Sequence, residues 1–96
     1  MTRKPSNELK TIEGVLLERV PSHHRDEFLE RWKSTLELYG HGDEGIALEN
    51  LCENIYHFDV QIPTRLRDQL MHLCQRFAVP RELTQLLNEM TRSEEA

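Results

Sequence analysis

The side chains of this sequence that could do chemistry are five histidines, two cysteines and a scatter of carboxylates. His23, His24, His41, His57 and His72 include no pair at the i, i+4 spacing of a helical metal site, and no His-Glu-x-x-His occurs. Cys52 and Cys74 lie far apart, and neither has a second ligand close by in sequence, so a zinc site would need assembly from long-range contacts alone. Their ordinary role is that of small buried hydrophobes. Gly40, Gly42 and Gly45 cluster, but they follow a helical segment, not a strand, and no Lys-Ser/Thr comes next. They read as turn glycines, not as a phosphate loop. Glu49 and Glu53, one helical turn apart, are the best acid–base pair on offer. Catalytic carboxylates need burial to tune their pKa, whereas a Glu pair on an amphipathic helix ordinarily sits on its solvated face. No catalytic residue, metal or cofactor is therefore expected. The chain is expected to work by binding another macromolecule, not as an enzyme.

Five segments with helical spacing would position these residues, and none has a convincing period of two. The first runs from about Asn7 to Val20, capped by Ser6, with Leu9, Ile12, Leu16, Leu17 and Val20 on one stripe. The second runs from about His23 to Tyr39, capped by Ser22. Phe28, Leu29, Trp32, Leu36 and Tyr39 face inward, and Gly40 closes it at positive φ. The third runs from about Glu44 to His57, capped by Asp43, with Leu48, Leu51, Cys52 and Ile55 inward. An extended link from Asp59 to Pro63 follows, because Pro63 disfavours helix at Ile62. The fourth, from about Arg65 to Phe77, is capped by Thr64 and buries Leu66, Leu70, Leu73 and Phe77. Pro80 opens the fifth as its first residue, and that helix buries Leu83, Leu86, Leu87 and Met90. The expected fold is all-α: one domain over 1–96, a bundle of about five short amphipathic helices packed neighbour on neighbour, with frayed ends at about 1–5 and 91–96.

Composition limits the setting. Ninety-six residues suffice for one core but not for a core plus a deep enclosed active site. No apolar run approaches the ~20 residues of a bilayer span. The charged start Met1-Thr2-Arg3-Lys4-Pro5 leads into no apolar stretch of the signal-peptide kind. A cytoplasmic location with reduced thiols is the expectation, with no membrane partner.

Net charge is −5, which disfavours a general nucleic-acid binder and suits a basic partner. The charge is also unevenly placed. From Lys33 to Arg65 no Lys or Arg intervenes, while Glu37, Asp43, Glu44, Glu49, Glu53 and Asp59 all fall there. Winding the third helix puts Ile46, Glu49, Asn50, Glu53, Asn54 and His57 opposite its core stripe, with Tyr56 at the border. That face is either a plain polar surface or a binding surface in which acids steer and an aliphatic and an aromatic anchor. The candidate contact set is Asp43, Glu44, Ile46, Glu49, Asn50, Glu53, Asn54, Tyr56, His57 and Asp59.

The stretch from Gly42 to Ile62 resembles the core of the MafI-type immunity proteins, which are similar to immunity proteins of contact-dependent growth inhibition systems. The pattern is a Gly-acid turn, Ala-Leu-Glu, Leu-Cys, then an aromatic before an Ile-containing link. Gly42, Glu44, Ala47, Leu48, Glu49, Leu51, Cys52, Glu53, Tyr56 and Ile62 carry it. The resemblance spans roughly 34–78 and is one of turn, helix and link, not a catalytic signature. It implies a cytoplasmic inhibitor of a polymorphic toxin's C-terminal nuclease domain, in several cases an RNase and in some of EndoU-like type. A nuclease is basic around its active site because it attracts phosphates, and an acidic inhibitor surface answers that charge. The resulting expectation is a monomer or weak dimer that neutralises a basic nuclease toxin. Two other readings stand beside it. One is a nucleic-acid-binding regulator using the fourth helix, where Arg65, Arg67, Arg76 and Arg81 gather but Asp68 and Glu82 dilute them. The other is a helical protein adaptor.

Overall fold

The computed structural model describes residues 7–92. Ser6 and the ends at 1–5 and 93–96 lie outside them. The helices are α1 (Asn7–Arg19), α2 (Arg25–Gly40), α3 (Glu44–His57), α4 (Thr64–Arg76) and α5 (Arg81–Glu89). The described residues also form two short strands, β1 (Ile62–Pro63) and β2 (Thr91–Arg92). This is the all-α bundle that the spacing predicts. The Cα radius of gyration is 12.6 Å, matching the ~13 Å of a compact 100-residue domain. Among the described residues no helix is long and apolar enough to cross a membrane.

The helices do not pack simply neighbour on neighbour. α3 is central: it lies chiefly against α2 and α5, and only lightly against α4, which leans on α5. The core is one cluster running from Leu9, Ile12 and Leu16 through Phe28 and Trp32 to Leu51, Ile55, Phe58 and Leu87. Phe28 and Trp32 are buried, as their shared stripe predicts, and Thr35 is buried with them. Thr35 is accommodated because its hydroxyl donates to the Arg31 carbonyl at 3.1 Å.

The link after α3 is part of that core. Phe58, Val60 and Ile62 are buried, while Asp59 is exposed and Gln61 half-buried. This is an apolar–polar alternation of period two, too short for its period to stand out in the sequence. Its extended end pairs in parallel with β2, Ile62 opposite Thr91 and Pro63 opposite Arg92, and the Ile62 N–H donates to the Met90 carbonyl at 2.9 Å. Thr91 and Arg92, which fall in the end expected to fray, form this strand. A buried, extended Ile62 needs an acceptor for its N–H, and the chain after α5 supplies it.

Helix ends depart most from expectation. Ser22 opens a 3-10 turn over Ser22–His24 instead of capping α2, and Thr64 begins α4 from within, behind Pro63. Asp43 does stand at the cap of α3 but makes no side-chain cap bond, and Pro80 precedes the first residue of α5. The closing geometry repeats three times. The N–H of Asp43 reaches back to Leu38, that of Val60 to Ile55 and that of Val79 to Cys74, each at 2.9 Å. These are six-to-one Schellman closures, which require a left-handed residue just before the donor. That residue is Gly42 (φ 89), Asp59 (φ 54) and Ala78 (φ 56) in turn, and Gly40 stays helical. Ala78→Gly is accordingly expected to raise stability by roughly 0.5–1 kcal/mol, and Gly42→Ala to lower it by about 1 kcal/mol. Urea midpoints of the two variants check both signs.

Candidate binding face on the third helix

α3 exists as a helix because its apolar residues recur at helical spacing and its N-terminal turn can pack closely. Gly45 is the residue that permits this: a Cβ there would stand 3.2 Å from the Phe77 carbonyl oxygen. Ala47, Leu48, Leu51, Cys52 and Ile55 then face the core. At about 100° per residue, the remaining positions divide cleanly. Ile46, Glu49, Asn50, Glu53, Asn54, Tyr56 and His57 occupy the outward arc.

Two large apolar side chains stand exposed among the described residues, Ile46 and Tyr56, each 52% accessible, and both are on this arc. Glu53 and His57 are exposed beside them; Glu49, Asn50 and Asn54 are half-buried. Among the described residues Glu49 and Glu53 enter no ion pair and accept no hydrogen bond. His57 presents its ring edge-on to Phe58 at 4.8 Å between centroids.

Three predicted members sit apart from the arc. Glu44 is half-buried and lies roughly 160° round the helix from Ile46, on the core side. Asp43 is exposed in the turn before the helix, its backbone committed to the Leu38 carbonyl. Asp59 lies beyond the helix at the left-handed closing position, where its Oδ1 accepts from Gln61 Nε2 at 3.2 Å. Membership of the acidic stretch in sequence does not place a residue on one face in space.

The fold also brings residues from outside the candidate set to this face, Leu86 among them, which is half-buried there and not in the core as its stripe predicts. Arg31 of α2 and Leu86 of α5 join Glu53, Asn54, Tyr56 and His57 around a shallow hollow of about 370 Å³. Arg31 lies just before the Lys/Arg-free stretch and on another helix, so counting charge along the chain does not bring it here. The packing of α2 and α5 on either side of α3 does. Among the described residues Arg31 and Glu53 line one hollow without forming an ion pair.

A second groove, of about 400 Å³, runs between α4 and α5 and is lined by Met71, Gln75, Val79, Arg81, Thr84, Gln85 and Asn88. Its neighbourhood is electrically mixed. Arg67 there is held by Asp68, with its Nη2 at 2.9 Å from the Asp68 carboxylate. Arg76 instead lies over the Phe77 ring, 5.5 Å from its centroid. Of the four α4-side arginines, two are thus engaged within the chain.

Among the described residues no group of three or more His, Cys, Asp or Glu side chains could hold a metal ion. In comparisons with known proteins, no family model, no curated sequence and no solved structure matches this chain.

Proposed function

We propose that this chain is an immunity protein, a one-to-one inhibitor that neutralises a bacterial toxin by binding its basic nuclease domain through the outward face of α3. The observation that carries this reading is the coincidence of two exposed anchors with free charge. Ile46 and Tyr56 stand out of the same face as Glu49 and Glu53, carboxylates left without a cation among the described residues. An isolated helix face gains from Glu–Lys pairs one turn apart, and this one forgoes them. Exposed apolar side chains flanked by unpaired charge favour contact with a partner of opposite sign. The MafI-type resemblance of the stretch from Gly42 to Ile62 supports the same reading and supplies the kind of partner. The inhibitor acts in the cytoplasm of the cell it protects, where the toxin's substrate lies.

The anchors are about 15 Å apart along the helix, at 1.5 Å per residue, so the partner spans most of α3. Tyr56 borders the hollow, so a basic side chain entering there meets the Glu53 carboxylate, while Arg31 is free to answer an acidic neighbour on the partner. The direct test pairs the purified chain with the C-terminal domain of the toxin encoded beside it. A 1:1 complex by calorimetry, with loss of nuclease activity and protection of cells expressing the toxin, is the expected result. Binding of free RNA or DNA by the chain, with no effect on the toxin, would replace this reading with that of a nucleic-acid regulator.

A further inference from the structure

We propose that Cys52 and Cys74 form a covalent modification site, a buried dithiol that closes to an intramolecular disulfide by exchange with a small-molecule disulfide of the glutathione class. The two residues come from different helices, α3 and α4, and are separated by 22 positions in sequence, yet their sulfurs lie 3.9 Å apart in a sulfur–sulfur hydrogen bond. Both thiols are free and buried, 2% and 1% exposed. A disulfide has its sulfurs about 2.05 Å apart, so the pair must close by a little under 2 Å.

The two thiols are unequal, and so are their routes to solvent. The hydrogen bond to Cys74, with burial behind it, holds the Cys52 thiol above its ordinary range; the same bond lowers Cys74. Cys52 lies mid-helix, flanked by buried Leu51 and near buried Ile55. Cys74 lies in the last turn of α4, where its carbonyl accepts from Val79 across the left-handed Ala78. Helix ends open at lower free energy than helix centres, and a non-glycine residue at positive φ weakens this end further.

The order of events follows. Opening of the last turn of α4 exposes Cys74, whose thiolate attacks one sulfur of the small disulfide and expels a thiolate. That thiolate takes up the proton Cys74 gave away. The Cys52 sulfur, facing Cys74 across the helix contact, then loses its proton and attacks the Cys74 sulfur of the mixed disulfide, expelling the second small thiol. Two protein thiols are oxidised to one disulfide, giving up two electrons and two protons, and the small disulfide is reduced to two thiols. The product ties the helix that carries Ile46, Glu49 and Glu53 to α4.

The experiment incubates the native chain with oxidised glutathione, quenches with iodoacetamide under denaturing conditions, and reads intact mass and peptide map. The expected product is monomeric, lighter by two hydrogens and unalkylated, with the Cys52 and Cys74 peptides joined. Its thermal midpoint should rise by on the order of 10 °C and fall back on reduction with dithiothreitol. Two alkylated cysteines, a persistent glutathione adduct in the wild-type chain, or disulfide-linked dimers would overturn the proposal. Cys52→Ser should stop at a glutathione adduct on Cys74, and Cys74→Ser should leave Cys52 unmodified. The reverse pattern would overturn the order of attack. The wild-type mass decides the proposal even where a serine variant fails to fold.

Discussion

Trp32→Ala is expected to destabilise the fold by about 3–5 kcal/mol, as truncations of large aromatic core residues do. A domain of this size has of the order of 5–15 kcal/mol to lose, so the variant should melt some 15–30 °C lower, by a rough conversion for a chain of this length. The ring is only 2% exposed, and it belongs to one continuous core with Phe28, Phe58 and Leu51. A cavity at the position of the largest core side chain cannot be filled by helices anchored elsewhere. One detail separates the ring from its polar atom: Trp32 Nε1 is buried and finds no acceptor among the described residues. Trp32→Phe removes that unpaired donor while keeping most of the apolar volume, and should cost much less than the alanine variant. Thermal melts of both variants check the difference. An alanine variant with an unchanged midpoint and lost partner binding would instead make Trp32 an interface residue.

What the sequence made legible was periodicity. Five apolar stripes place five helices, and Phe28, Trp32, Leu51 and Ile55 are buried where the stripes put them. Helix ends were less legible because capping is a local contest between several acceptors. Ser22 loses to a 3-10 turn that begins at the same residue, and Asp43 takes the cap position without making the bond. Closures were illegible for another reason. Only one of the three left-handed residues is glycine; Asp59 and Ala78 adopt the conformation because the bonds from Val60 and Val79 hold them there. No composition signal marks such positions. The strand pair was hidden for a third reason: it joins the link after α3 to the residues after α5, a contact that follows only from the tertiary packing.

The candidate face shows the same division. Helical winding alone places Ile46 and Tyr56 outside and Leu48 and Leu51 inside, because one rigid element sets all four. Charge counted along the chain transfers poorly to space. It gathered Glu44, which faces the core side of α3, and missed Arg31, which another helix carries to the edge of the face. The face is therefore acidic at Glu49 and Glu53 and bordered by a cation near Tyr56. A partner that fits it carries a basic patch with an acidic neighbour, a narrower demand than positive charge alone.

Reversing Glu49 and Glu53 together to lysine is expected to weaken partner binding by on the order of 10- to 100-fold at low ionic strength, mostly through slower association. Neither carboxylate is in an ion pair among the described residues, so no ion pair is lost. The two stand one turn apart, and the exchange replaces one like-charge pair by another, leaving their mutual repulsion in place. In the C-terminal half of α3, Glu53→Lys also suits the helix dipole, which favours a cation there over a carboxylate. Helicity and melting temperature should thus stay close to wild type, which separates this variant from Trp32→Ala. Exposed charges are screened over about 10 Å at 0.1 M salt, so the deficit should shrink as salt is added. The apolar contribution of Ile46 and Tyr56 should persist at high salt and fall only when those residues are truncated. Stopped-flow association rates across a salt series, alongside a cell-protection assay, measure both parts. A double variant that binds and protects like wild type would leave this face a solvated helix surface. The groove between α4 and α5, with Arg81 at its edge, is then the surface to test next, by substituting Gln75 and Gln85 on its two walls.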